Sequence, residues 1–210
     1  MKKISEINNI EIGLSFLRKD EKMSFLINKF RKPEFNVNKN YFQSILRSIV
    51  YQQLSGKSAK AIFERFKKLI PKDTLLSPKE VLRISNKEMR IAGLSFQKID
   101  YIRNLANYFE QNSLQQEELK KMTNEEISKE LTQIKGIGQW TVDMFLMFTL
   151  NRLDVMPYGD LGIQKGFKKI FKMNHLPSKK EMEFGSRIWK PYRTLACWYL
   201  WETIDDNFEW

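Results

Sequence analysis

Two glycines separated by one residue, in Lys135-Gly136-Ile137-Gly138, stand between two stretches of helical periodicity at about 124–133 and 139–150. Four residues are too few for an extended loop, so the two helices must turn back sharply on each other. Glycine lacks Cβ, which permits positive φ and lets the backbone press against another molecule. Gly138 directly precedes the second helix. The N–H groups there have no intrahelical acceptor and point outward at the positive end of the helix dipole, a ready phosphate site. Lys135 stands alongside, and Ile134 and Ile137 are placed to pin the hairpin to a core. Taken alone the tetrapeptide reads more readily as a plain tight turn, since motifs this short match often by chance.

Other reactive side chains are scarce. Cys197 is the sole cysteine and His175 the sole histidine among 210 residues. Internal disulfides, a four-cysteine iron–sulfur cluster and a cysteine-built zinc site are thereby excluded, as are histidine-dependent triads and histidine-rich metal sites. Lys and Arg number 36 against 25 Asp and Glu, a net charge of +11 that favours a polyanionic partner, nucleic acid before a membrane surface. Lysine and asparagine are abundant throughout, so the excess supports a binding face without defining one. Met1-Lys2-Lys3-Ile4-Ser5-Glu6 leads into no apolar run, and no stretch is long and apolar enough to span a membrane. The expectation is an intracellular protein of the cytoplasm or nucleoid, with no membrane association.

The elements that must carry these residues read as helices nearly everywhere. Apolar residues recur at i, i+3, i+4 in Met23, Leu26, Ile27 and Phe30 and in Phe42, Ile45, Leu46, Ile49 and Val50. The same spacing recurs in Ala59, Ile62, Phe63, Phe66 and Leu69 and in Ile99, Ile102, Leu105, Ala106 and Phe109. Ser77–Glu80, Ser85–Glu88, Thr123–Glu126 and Ser178–Glu181 each have capping-box spacing, and Gly93 is a natural helix stop. No segment alternates like a strand between hairpin turns, and residues 35–40 read as a linker. The expected fold class is all-α, with about ten short helices.

Over a longer span, Leu131-Thr132-Gln133-Ile134-Lys135-Gly136-Ile137-Gly138-Gln139-Trp140-Thr141 resembles the helix-hairpin-helix of DNA repair glycosylases. Met156-Pro157-Tyr158-Gly159-Asp160-Leu161-Gly162-Ile163-Gln164-Lys165-Gly166 resembles the proline-and-aspartate segment of that superfamily. Upstream, Tyr51-Gln52-Gln53-Leu54-Ser55-Gly56-Lys57-Ser58-Ala59 is similar to the minor-groove wedge region of its alkylbase branch, the 3-methyladenine DNA glycosylase II type. Residues 189–201, from Trp189-Lys190-Pro191 to Trp201, are similar to the C-terminal helix of that branch. Members that also cut the DNA backbone carry a lysine two positions after the second hairpin glycine, where this chain has Trp140. Iron–sulfur branches need four cysteines. The resemblance therefore implies the alkylbase branch, in a compact form without the additional N-terminal β-rich domain of its best-known bacterial members.

That resemblance implies two helical lobes, 41–150 with the hairpin at 131–141 and a discontinuous 1–40 plus 151–210, with the active site in the cleft between them. It implies Asp160 as the catalytic carboxylate, although an Asp before Leu161-Gly162-Ile163 is also a good helix N-cap. Asp143 and Asp154 lie outside the family position. Trp140 and Trp201 stand at base-binding positions, whereas Trp189 and Trp198 read as core. Gln53 and Leu54 are wedge candidates, with Leu54 equally a core residue, and Ser55, Lys57, Lys135, Gly136, Ile137 and Gly138 are DNA contacts. The family hairpin binds a monovalent cation, Na+ or K+, through carbonyls that are here those of Thr132, Ile134 and Ile137. No cofactor is expected for catalysis and no iron–sulfur cluster. The implied partner is double-stranded DNA containing damaged bases, bound by a monomer that hydrolyses the N-glycosidic bond of alkylated purines after base flipping, with no lyase step. A non-catalytic helix-hairpin-helix DNA-binding module and a uracil or oxidised-base glycosylase are the alternatives.

Overall fold

The computed structural model describes residues 2–35, 40–71, 74–112 and 116–205. Among them stand thirteen α-helices and a 3-10 turn, with no strand. The all-α expectation holds, while the helices outnumber the ten or so anticipated. Three of them span only six residues, too short to show a periodicity. The chain divides into two compact units, residues 37–150 and residues 1–36 with 151–210.

In the unit 37–150 the central element is α3 (Tyr41–Tyr51). Its stripe Phe42, Ile45, Leu46, Ile49 and Val50 is buried throughout. It packs against α4 (Gly56–Lys67), α7 (Phe96–Asn112) and α10 (Gln139–Phe148). Tyr41 meets Phe145 of α10 edge-on at 5.3 Å, and Phe42 meets Phe109 of α7 at 5.5 Å. The short α5 (Pro78–Arg83) and α6 (Asn86–Ile91) lie on α7. There Arg103 donates to the Ile84 carbonyl at 2.7 Å and the Asn86 side chain at 2.8 Å. The unit is completed by α8 (Gln116–Lys121) and α9 (Asn124–Leu131).

In the other unit α13 (Arg193–Glu202) is buried along residues 194–202. It is packed by α1 (Lys2–Leu17), α2 (Glu21–Lys29) and α11 (Leu161–Ile170). A helix buried on all sides is the reason its sequence shows no polar stripe. Its buried Glu202 is paired with Arg31 at 3.2 Å. Trp189, in the 3-10 turn after α12 (Lys179–Ser186), is fully buried and donates to Asp20 Oδ2 at 2.8 Å. Trp198 is buried beside Phe35, so both tryptophans read as core are core.

Three of the four capping boxes close reciprocally, at Ser85, Thr123 and Ser178. At the fourth, Ser77 accepts the Glu80 N–H but the Glu80 carboxylate turns to Arg83 at 2.6 Å, leaving half a box. Gly93 ends α6 at φ +104°. Of the stretch read as a linker, residues 36–39 lie outside the described residues, and Asn40 caps α3. Among the described residues no helix is long and apolar enough to cross a membrane.

Candidate active site and nucleic-acid interface

Asp160 ends a tight turn in which its N–H donates to the Pro157 carbonyl at 2.9 Å. Extended backbone angles then make it the N-cap of α11, and its Oδ1 accepts the Ile163 N–H at 2.8 Å. The same oxygen accepts Nε1–H of Trp201, from α13, at 2.9 Å. Gly162 makes that approach possible. A Cβ there would lie 2.8 Å from Trp201 Cδ1, closer than real contacts allow, and a tight 3.1 Å from Asp160 Oδ1. The carboxylate is thus half-buried, seated at the positive end of α11 and oriented by two donors. Its neighbours are committed elsewhere. Asp154 pairs with Arg193 through Nε at 2.6 Å and Nη2 at 3.0 Å, and buried Asp143 accepts from Gln139 at 2.9 Å.

The hairpin is shorter in helix than the periodicity suggests. α9 stops at Leu131 because the chain tightens, with Ile134 N–H on the Leu131 carbonyl at 3.1 Å and Ile137 N–H on that of Ile134 at 3.0 Å. α10 stops at Phe148, ahead of left-handed Asn151 at φ +53°. Ile134 and Ile137 are buried and anchor the turn. The two glycines differ. Gly136 has φ +104°, and a Cβ on it would fall 2.1 Å from the Tyr101 ring, so this position needs glycine for the fold itself. Gly138 has φ −100° and open space where a Cβ would stand, so of the two glycines only Gly136 uses the positive φ that glycine permits. Gly138 is the N-cap of α10 without a side-chain cap. The N–H groups of Gly138 and Gln139 find no acceptor among the described residues, as an anion site at a helix start requires. Lys135 is exposed beside them. The carbonyls of Thr132 and Ile137 accept no hydrogen bond from the described residues, and that of Ile134 accepts only the Ile137 N–H. Outward carbonyls following a helix C-terminus are hard oxygen donors, and they fit a monovalent cation.

α3 ends at Tyr51, and the chain reverses through Gln53 at φ +56° into α4. Leu54 is 40% exposed and is not a core residue. Ser55 caps α4 through the Ser58 N–H, and Lys57 is exposed in its first turn. Trp140, the second residue of α10, is half-buried. Trp201 is 6% exposed. Two polar residues that the sequence did not single out converge on this turn. Gln52 Nε2 donates to the Gly136 carbonyl at 3.0 Å and to Thr141 Oγ1 at 2.9 Å. Lys98 Nζ donates to the carbonyls of Val50 at 2.6 Å and Gln52 at 2.9 Å, and burial pushes its pKa below the usual lysine value. Their partners are dozens of residues away, so periodicity carries no sign of them. The donor role of Trp201 is silent in the sequence for the same reason.

The chain is 36% identical over 202 residues to DNA-3-methyladenine glycosylase 1 of Schizosaccharomyces pombe, covering 95% of this chain and 89% of that protein. It superposes on the structure of the Schizosaccharomyces pombe 3-methyladenine DNA glycosylase Mag1 in complex with abasic DNA with a TM-score of 0.85, at 36% identity, over 96% of this chain and 100% of that one. A DNA-3-methyladenine glycosidase of Bacillus halodurans superposes with a TM-score of 0.74 at 38% identity, over 90% of this chain and 87% of that one. Residues 46–191, which contain the Gln53-Leu54 turn, the hairpin and Asp160, match the family described as HhH-GPD superfamily base excision DNA repair protein. The chain belongs to the HhH-GPD superfamily.

Proposed function

We propose that the protein is a monofunctional DNA glycosylase that acts as a monomer on duplex DNA and hydrolyses the N-glycosidic bond of alkylated purines, 3-methyladenine and 7-methylguanine. The observation that carries this reading is the Asp160 carboxylate, fixed by the Ile163 and Trp201 N–H groups. The relatives named as 3-methyladenine glycosylases supply the substrate class.

Base excision requires the nucleotide to be rotated out of the stack before any bond breaks. Departure of the base then leaves oxocarbenium charge on the deoxyribose. Asp160 stabilises that charge, and it orients the water whose oxygen bonds to C1′ as the glycosidic electron pair leaves with the base. The water proton passes to Asp160. A cationic alkylated purine leaves as a neutral base, so no acid is needed to protonate it. Trp140 and Trp201 supply electron-rich surface to such a base. The Gly138 and Gln139 N–H groups with Lys135 grip a DNA phosphate. A monovalent cation on the carbonyls of Thr132, Ile134 and Ile137 would add positive charge there. Gln53 and Leu54 enter the minor groove, flanked by Ser55 and Lys57.

Asp160→Asn tests the proposal. Asparagine Oδ1 keeps both hydrogen bonds and the helix cap, so the variant should fold and bind damaged duplex within about threefold of wild type. Single-turnover release of free base from methylated DNA should fall by about a hundredfold or more. Undiminished release would remove Asp160 from the chemistry. A wild-type protein that binds DNA but releases no base from it would make the chain a binding module.

A further inference from the structure

The Gln53-Leu54 turn and the hairpin are tied together by polar contacts between residues far apart in the chain. Gln52, immediately before the exposed pair Gln53-Leu54, spans to the hairpin with both bonds of its Nε2, one to the Gly136 carbonyl and one to Thr141 in the first turn of α10. From the other side, one face of α7 holds both parts. Lys98 binds the carbonyl of Val50, near the end of α3, and the carbonyl of Gln52 itself. One turn on, Tyr101 lies beneath Gly136 so closely that no Cβ fits between them. After another turn, Asn104 donates to the Lys135 carbonyl at 3.2 Å. Residues three apart share a helix face, so a single stripe of α7 sets the positions of both DNA-contacting parts. The ammonium of Lys98 is partly desolvated where it reaches these carbonyls, which lowers its pKa.

We infer that Gln52 and Lys98 are positioning residues that lock the Gln53-Leu54 wedge to the hairpin, so that gripping a phosphate through the hairpin commits the wedge to the base stack. This rests on the proposed function, because it takes the Gln53-Leu54 turn as the wedge and the hairpin as the phosphate grip. Left-handed Gln53 at φ +56° gives the reason for a lock. A non-glycine residue holds that conformation only where its surroundings impose it. With Gln52 and Lys98 released, the turn has other conformations in reach, and Leu54 no longer meets the gap at a set depth.

The test uses the full chain and a duplex carrying a tetrahydrofuran abasic analogue with 2-aminopurine opposite it, whose fluorescence reports entry of a side chain into the gap. Gln52→Met keeps the side-chain length and removes both donors, and Lys98→Met removes the ammonium. Each should lower the insertion equilibrium read from the fluorescence amplitude at saturation by about fivefold or more, as expected for lost hydrogen bonds at a partly buried site. Binding to intact duplex, set by phosphate contacts, should stay within about twofold. Leu54→Ala locates the wedge independently. If Leu54→Ala loses the signal while Gln52→Met and Lys98→Met keep it in full, the lock is overturned and the proposed function stands. If Leu54→Ala keeps the full signal, the wedge reading fails and takes the lock with it. Equal losses of signal and of intact-duplex affinity would show a merely structural role and also overturn the lock. Should Gln52→Met not fold, Thr141→Val deletes one of the same two bonds and must show the same selective loss, or the lock fails.

Discussion

Trp201 carries two roles that a single substitution to alanine would confound. Its Nε1–H holds Asp160, while its ring is the proposed base contact. It is also as buried as Trp198, at 6% against 5% exposure, so removing either side chain empties core volume and should cost about 3–5 kcal/mol. Reading Trp201 as base-binding and Trp198 as core therefore implies no contrast in stability between the two alanine variants. Trp201→Phe separates the roles. It keeps an aromatic face and deletes the Trp201 donor, while the Ile163 N–H still caps Asp160 Oδ1. Excision should fall about tenfold or more, since a hydrogen bond to a charged group is worth about 1.5–3 kcal/mol, with KM little changed. Single-turnover rates and KM measured together check this, and an unchanged rate would show that Asp160 is held well enough by its cap. Gly162→Ala should lower the rate in the same direction, because its methyl group would displace the Trp201 edge.

For the elements, the hairpin glycines make a matched pair of opposite expectation. Gly136→Ala forces a Cβ into the Tyr101 ring at a positive φ. Loss of thermal stability should dominate, and its DNA affinity then says nothing about phosphate. Gly138→Ala meets no neighbour within 4 Å. It should leave Tm nearly unchanged while weakening binding to damaged and intact duplex alike, because the methyl group stands where phosphate must approach. Loss of affinity for damaged duplex alone would argue against a phosphate grip. α12 offers a pH test. The Ser178 hydroxyl and N–H, with His175 beside them, hold the Glu181 carboxyl at a pKa of about 2, against an ordinary 4.5. A depressed acid contributes stability above its unfolded pKa and loses it as pH falls through the folded one. The Tm gap between wild type and Glu181→Gln should therefore be full above about pH 5 and close as pH drops toward 2. A gap independent of pH would show that the box contributes nothing through charge.

For the whole molecule, the net charge of +11 accords with a polyanionic partner, and the branch of chemistry turns on one position. By the family resemblance, Trp140 occupies the position at which lyase members carry a nucleophilic lysine. Borohydride should trap no protein–DNA adduct, and the product strand should remain intact until alkali is added. A trapped complex would identify another amine as the nucleophile and replace water in the mechanism.

The sequence by itself determined the helical class, the helix starts and the chemical vocabulary. These depend on neighbours three and four residues away, and composition alone excludes disulfides and cysteine-built clusters. The hairpin turn and the N-cap at Asp160 were legible for the same reason, since both are local, whereas a catalytic role for Asp160 came from the family resemblance. The tertiary structure decided what the side chains do at a distance. It gave Gly136 a steric duty and left Gly138 an open one, and it placed Leu54 outside the core. It tied Trp201 to Asp160 across two helices and Gln52 to the hairpin. Such contacts join residues 41 or more positions apart. Their geometry is set by how helices pack, and no periodicity along the chain records it.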